Sequence, residues 1–192
     1  MRQASNYRED RRSARMRLLD YDAGTAAVAA VEATAFHLEL RDSYLTDQEV
    51  ERLRRFRAGE PDPDLAEWFA PWTRLVGDLT SRGVAVQRVR VVTEPLGEYS
   101  RWLHSITDYN TDAGEEVRWM ARHLVDPAEL CTDDWWLLDD STVVFSLFGP
   151  DDVLDGFAAT DDPVIAAHCR RVWDLLWPKA IAHQDYSPDV QH

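Results

Sequence analysis

The sequence predicts a single α/β domain whose mixed sheet is flanked by helices. Helical and strand periodicities alternate from residue 22 to residue 120, and hairpin-like strands follow from residue 135. No repeat, low-complexity stretch or long linker divides the 192 residues. Alternating helices and strands favour parallel strands with helices packed on the faces, whereas consecutive strands favour antiparallel pairing. The expected sheet is therefore parallel in its first half.

Each element has a local reason. Asp22 to Glu32 reads as an alanine-rich helix with Asp22 or Thr25 as its cap. Phe36 to Leu40 alternates apolar and polar residues and reads as a short strand. Thr46 and Glu49 form a capping box that opens a helix, and Gly59 ends it. After the turn Glu60-Pro61-Asp62-Pro63, Asp64 to Ser81 is amphipathic, with Leu65, Trp68, Trp72, Val76 and Leu79 on one face. Val84 to Val92 is long, rich in valine and the strongest strand signal in the chain. Pro95 opens a helix that runs to about Tyr109, and Glu116 to Met120 is the next strand. Asp126-Pro127 starts one helical turn. Residues 135–138, 142–148 and 153–159 form a strand series, with turns at Asp139-Asp140-Ser141 and Gly149-Pro150-Asp151. Asp162-Pro163 caps a last helix that stops at Pro178. The strand pattern places Val89, Val91, Trp136, Leu138 and Val144 in the core.

Composition narrows the class. Apolar residues at 45% and charged residues at 29% describe a chain able to build a core, so wholesale disorder is excluded. Residues 1–17 hold six arginines against two acids, a net of +4, so the other 175 residues carry −18 of the total −14. An acidic body repels phosphate backbones, which argues against nucleic acid as a partner of the main domain, residues 18–187. The basic arm, residues 1–17, reads as a flexible, solvated segment or as a contact for an acidic partner or nucleic acid. No run of about 18 apolar residues offers a membrane span, and the basic start lacks the apolar core of a secretory signal. The expected location is cytoplasmic. The two cysteines, Cys131 and Cys169, show no metal or redox spacing and are expected as reduced thiols.

Familiar catalytic patterns are missing. The eight glycines form no phosphate-binding loop, and Lys179 is the only lysine. The six histidines make no HxH or HExxH pair, so neither a metal nor a cofactor is expected. Ser100 and Ser105 sit on a predicted helix without an elbow motif. What remains is a concentration of charge at strand ends. Arg88 and Arg90 alternate with valines, Glu94 follows them, Glu115 and Arg118 flank the next strand, and Asp139 ends the third. With Tyr99 and Asn110 these residues are the candidate ligand-binding set, because ligands of open α/β sheets bind outside the carboxyl ends of strands. Arginine forks there match carboxylate or phosphate, so the ligand would be small and polar. Two alternatives stay open. The same arginines and glutamates could brace the sheet as a salt-bridge network, and Asp139 could simply make a hairpin turn. No catalytic residue is assigned.

Several blocks carry a resemblance. Ala35 to Tyr44, Phe56 to Pro61, Arg88 to Tyr99, Tyr109-Asn110 with Ala113 to Glu116, Asp134 to Asp139, Asp161 to Pro163 and Tyr186 together resemble an uncharacterised actinobacterial family. The likeness spans roughly residues 18–187. That family is a domain of unknown function often encoded beside helix-turn-helix regulators. It implies a non-catalytic regulatory or accessory module, with such a regulator or another protein as partner. The alternative is a small-molecule enzyme using the arginine–carboxylate set, in secondary metabolism. A more distant likeness concerns mechanism. The helix with Pro95-Leu96-x-x-Tyr99 and the hairpin from Trp136 to Phe145 are similar to half of a phospholipase D fold. There the hairpin carries His-x-Lys-x-x-x-x-Asp, the histidine attacking phosphorus and the lysine neutralising the oxyanion. On that spacing this chain has Thr132, Asp134 and Asp139, so the resemblance implies a fold that has lost both catalytic groups.

Overall fold

A computed structural model describes residues 16–44, 46–131, 133–149 and 153–188. Eight strands form one sheet: β1 (Arg17–Leu19), β2 (Thr34–Glu39), β3 (Ala85–Val92), β4 (Glu116–Ala121), β5 (Trp135–Leu138), β6 (Thr142–Phe148), β7 (Leu154–Thr160) and β8 (Ile181–Ala182). Their spatial order is β1-β7-β6-β5-β2-β3-β4-β8. The β2–β3 and β3–β4 pairs are parallel, and all the others are antiparallel. The helices are α1 (Tyr21–Ala29), α2 (Asp47–Ala58), α3 (Leu65–Ser81), α4 (Glu98–Ile106), α5 (Asp108–Asp112) and α6 (Pro163–Leu176). The single α/β domain with a mixed sheet is therefore the observed architecture.

The turn and cap chemistry explains most boundaries. Glu49 accepts the Thr46 backbone N–H at 2.9 Å, closing the capping box of α2, and Gly59 ends that helix at φ 64°. Asp126 and Asp162 each accept an N–H two residues on, so Pro127 and Pro163 begin helical turns. Three boundaries differ from the sequence reading. The cap of α1 is Asp20, whose extended backbone lets its carboxylate take the Ala23 N–H at 2.8 Å. Helix α4 begins at Glu98 after Gly97, because Leu96 packs outside the helix with Val92, Trp119 and Tyr186. The helix expected to reach Tyr109 is interrupted at Thr107, which caps α5. Strands β1 and β8, three and two residues long, carry no periodicity to read. Arg17, assigned to the basic arm, is the first residue of β1 and pairs with Ala159; the rest of that arm up to Arg15 lies outside the described residues. So does most of the Gly149-Pro150-Asp151 turn.

The pleat divides the core into two unlike faces. Phe36, Leu38, Val89, Val91, Trp135 and Leu137 face α6, which seals them with Ala166, Cys169, Val172, Trp173 and Leu176. That face is apolar, and each fully buried large side chain stabilises it by about 1.5–3 kcal/mol. On the opposite face, Ala35, Val86, Trp136, Leu138 and Val144 pack beneath α1 and α3. The five residues assigned to the core, Val89, Val91, Trp136, Leu138 and Val144, are all buried. Further along β2 and β3 the same face turns polar: His37, Glu39, Arg88 and Arg90 are buried there. No helix among the described residues is long and apolar enough to cross a membrane.

Candidate functional site

The parallel register builds the polar layer. His37 lies beside Arg88, and Glu39 beside Arg90, on neighbouring parallel strands. Glu39 receives a hydrogen bond from Arg88 Nη1 on one oxygen and from Arg90 Nε, at 2.6 Å, on the other. Arg88 Nε donates to Glu115 at 2.6 Å, just before β4. The second oxygen of Glu115 accepts from Asn110 Nδ2 at 2.6 Å and from the Trp72 indole at 3.0 Å. Arg90 Nη1 donates to the Thr107 hydroxyl at 2.7 Å, which in turn donates to the Leu103 carbonyl. Helix α3, the junction between α4 and α5, and α5 thus each hand one polar group to the sheet. Trp72 and Trp136 flank Arg88, and Trp119 flanks Arg90, with guanidinium-to-ring distances of 5.3–5.7 Å.

The layer is electrically closed. Two arginines face two glutamates, and none of the four is more than 7% exposed. Burial opposes ionisation of Glu39, but the Arg90 and Arg88 guanidiniums outweigh it and hold its carboxyl well below the usual range. Burial likewise opposes the charge of Arg88, and Glu115 and Glu39 together secure it. His37 is driven towards the neutral form, first by burial and then by Arg88. Its ring stacks on Trp136 with centroids 3.9 Å apart. Such a layer holds a protein together; it offers no free fork to a ligand.

The structure brings Arg88, Arg90, Asn110 and Glu115 of the candidate set into one cluster and leaves the others elsewhere. Tyr99 adjoins the periphery, where its hydroxyl donates to Glu49 at 3.2 Å. Glu94 accepts from the Tyr186 hydroxyl at 2.8 Å, holding the C-terminal segment. Arg118 pairs in register with Val89, so the pleat sends it to the α6 face, where it donates to the Trp177 carbonyl at 2.9 Å and lies over the Trp177 ring. Arg90, Glu94, Glu115 and Arg118 therefore do not share one cluster. Asp139 lies at the other end of the sheet. Its carboxylate accepts the backbone N–H groups of Glu32, Ala33 and Thr34 at 2.7–3.0 Å. Partial burial works against its charge, yet those three donors lower its carboxyl below the ordinary value. Glu39, Thr107, His37 and Trp72 belong to the cluster and were not in the candidate set.

The carboxyl ends of the parallel strands, where ligands of open sheets usually sit, are also occupied. Arg122 Nη2 donates to the Leu40 and Val91 carbonyls at 2.6 and 2.8 Å, and its Nε donates to the Thr93 hydroxyl. Asp42 takes the Thr93 N–H and hydroxyl at 2.8 and 2.7 Å. At the start of β5, Asp134 is 2% exposed. It accepts the Leu40 N–H at 2.8 Å, and the Tyr44 hydroxyl, which accepts from Arg41 N–H, lies beside it. Burial raises its carboxyl to about 6. Among the described residues, no group of three or more His, Cys, Asp or Glu side chains is placed to hold a metal ion.

A family model described as a domain of unknown function, DUF6879, matches residues 22–188. The chain belongs to the DUF6879 family. No curated protein matches it. Among solved structures, the Nuc protein of Salmonella typhimurium, a phospholipase D family member, superposes with a TM-score of 0.53 at 13% identity. That match covers 88% of this chain and 98% of Nuc. NucT from Helicobacter pylori gives 0.48 at 9% identity, covering 88% and 98%. The archaeal chromatin protein TrmBL2 gives 0.46 at 12%, covering 90% of this chain and 56% of that one. The match to Nuc shows a phospholipase D-like fold for this chain. On the His-x-Lys-x-x-x-x-Asp spacing, Thr132 lies outside the described residues. Asp134 stands at the lysine position, buried and bonded as above, and Asp139 is occupied by backbone.

Proposed function

We propose that this DUF6879 domain is a non-catalytic accessory module that uses a phospholipase D-like fold to bind a partner protein. The observation that carries the reading is Asp134. Where the phospholipase D pattern has a lysine to neutralise a phosphoryl oxyanion, this chain has a buried acid held by Leu40 N–H and Tyr44. A carboxylate there repels phosphate, and a protonated one supplies no cation. The arginines that could have served instead, Arg88 and Arg90, already have carboxylate partners, which speaks against the alternative of a small-molecule enzyme built on them. For the same reason a small polar ligand would have to displace internal ion pairs. A protein partner needs no such opening.

The resemblance to a family encoded beside helix-turn-helix regulators names a candidate class of partner. The strongly acidic chain, −14 overall, suits a basic partner surface through steering and rim contacts. Two measurements test the reading together. Purified protein should not hydrolyse bis(p-nitrophenyl) phosphate; turnover that co-purifies with the protein through a second column and is lost in Asp139→Asn would overturn the non-catalytic part. Titration calorimetry with a helix-turn-helix regulator of the kind encoded beside members of the resembled family should give a stoichiometric complex whose affinity falls as salt rises. Absence of any complex at low salt would remove the partner assignment.

A further inference from the structure

The C-terminal segment is fastened to the sheet through a histidine that fits its surroundings in one protonation state. Ile181 and Ala182 pair with Trp119 and Arg118 at the edge of β4, and the turn His183–Asp185 carries the chain on to Tyr186. Trp119 is fully buried, and its indole N–H donates to His183 Nδ1 at 3.1 Å. An indole nitrogen is a donor and never an acceptor, so Nδ1 must be bare. The imidazole proton therefore sits on Nε2, which donates to Asp108 of α5 at 3.1 Å. Two further charged or titratable groups stand near: His104 of α4, with its ring centroid 4.6 Å from that of His183, and Arg90 of β3, whose guanidinium lies 5.3 Å from the Trp119 ring centre. Tyr186 stacks on Trp119 with centroids 5.3 Å apart and gives its hydroxyl to Glu94. Its carbonyl lies 3.3 Å from His104 Nε2, which carries a proton to donate there.

We propose that residues 181–186 are an acid-released latch: a proton taken up by His183 Nδ1 detaches the segment and uncovers Trp119 and the edge of β4. Protonation turns Nδ1 into a second donor aimed at the indole N–H, and a fully buried indole has no water to turn to. The new cation also stands beside His104 and Arg90. Asp108 attracts it, but the Asp108 side chain is 77% exposed, where water screens the attraction. His104 acts in the same direction, because its charged form keeps the bond to Tyr186 yet sets a second positive charge against His183. Burial lowers the pKa of both histidines first of all. Arg90 adds to this at His183 and the His183 charge adds to it at His104, while Asp108 and the Tyr186 carbonyl oppose it. A histidine depressed in the folded state leaves stability complete above the unfolded value of 6.5 and erodes it as pH falls below. The latch is thus closed at neutral pH and opens on mild acidification. Opening takes the antiparallel partner from the backbone of Arg118 and Trp119 and takes Tyr186 from the face of Trp119. A freed strand edge beside an indole is a surface on which an extended segment can pair.

Hydrogen exchange of the full chain, read by mass spectrometry and corrected for the intrinsic pH dependence of exchange, follows residues 180–188. Lowering pH from about 7.5 to about 5 should speed exchange there by about tenfold or more, while peptides from β2 and β3 stay protected. His183→Asn is the matched variant. Its Oδ1 takes the place of Nδ1 and accepts the indole N–H at every pH, so the segment should stay protected in acid. Nitrogen-15 NMR of the histidine side chains needs no variant. It should show His183 with a proton on Nε2 and a bare Nδ1 at neutral pH, titrating below 6.5 together with the exchange transition. The opposite tautomer, a parent segment still protected at about pH 5, or protection lost only together with β2 and β3 overturns the proposal. So does a folded His183→Asn that opens at the parent's midpoint.

Discussion

Replacing Glu39 with glutamine removes one negative charge from the centre of the buried layer and little volume. Arg88 keeps Glu115, but Arg90 is left with the Thr107 hydroxyl and the face of Trp119. With charge centres about 4 Å apart and an effective dielectric near 20, each arginine attracts Glu39 by about 4 kcal/mol. The pair gives about 8 kcal/mol, set against several kcal/mol for desolvating the carboxylate. The net loss expected for Glu39→Gln is about 3–5 kcal/mol, the range for stripping one partner from a buried pair. In a domain of this size that corresponds to a fall in melting temperature of roughly 6–20 °C. Urea denaturation followed by tryptophan fluorescence reads it directly. The pH dependence supplies an independent check. The Glu39 carboxyl is depressed in the folded state, so its contribution is complete above the unfolded value of 4.5 and drains away as pH falls below it. Glu39→Gln should flatten that acid limb. A loss below about 1 kcal/mol, the range of exposed pairs, with an unchanged acid limb, would refute the claim that this layer is a desolvated brace.

Asp134→Asn tests the opposite sign. Burial raises the Asp134 carboxyl from 3.8 to about 6, so the stability it lends is full below 3.8 and lost as pH rises through 6; at about pH 8 the ionised form costs about 3 kcal/mol. The variant should be more stable than the parent by up to that amount at about pH 8 and equal to it near pH 4, as pH-dependent urea melts will show. Asp139→Ala should cost about 2 kcal/mol through loss of charge-assisted bonds to three N–H groups and through alanine at a positive φ, measured as a shift in denaturation midpoint without change in slope.

Local chemistry was the most legible part of the fold. The capping box at Thr46, the proline-started turns at Pro127 and Pro163, and the valine alternation in β3 each depend on neighbours within a few residues, and each appears where the sequence puts it. Long-range geometry was less readable. The alternation His37-Leu38-Glu39-Leu40 suggests a strand with one wet face, but both faces are buried, because Arg88 and Arg90 on the adjacent strand neutralise Glu39. A signal was present: two strands with charges at alternate positions and opposite signs are candidates for pairing. Arg118 shows the limit of such reasoning, since a one-residue difference in register decides which face it takes. Cys131 and Cys169 show it again, as nothing in their spacing reveals that α6 folds back over the start of β5.

Asp134 and Asp139, at two positions that the phospholipase D spacing marks, each have a structural task in this fold. Asp139 has a task that involves no substrate: three consecutive N–H groups at the start of β2 need an acceptor, and its carboxylate in the β5–β6 turn supplies one. Asp134 faces the reverse situation. A lysine at a position this buried, with Tyr44 and the Leu40 N–H beside it, would find donors where it needs acceptors. An aspartate accepts from the Leu40 N–H and ties β5 to the segment after β2. The Asp134 carboxylate therefore ties the start of β5 to the end of its neighbour β2. A lysine introduced at position 134 would have to break that bond, which supports the binding role proposed above for the scaffold.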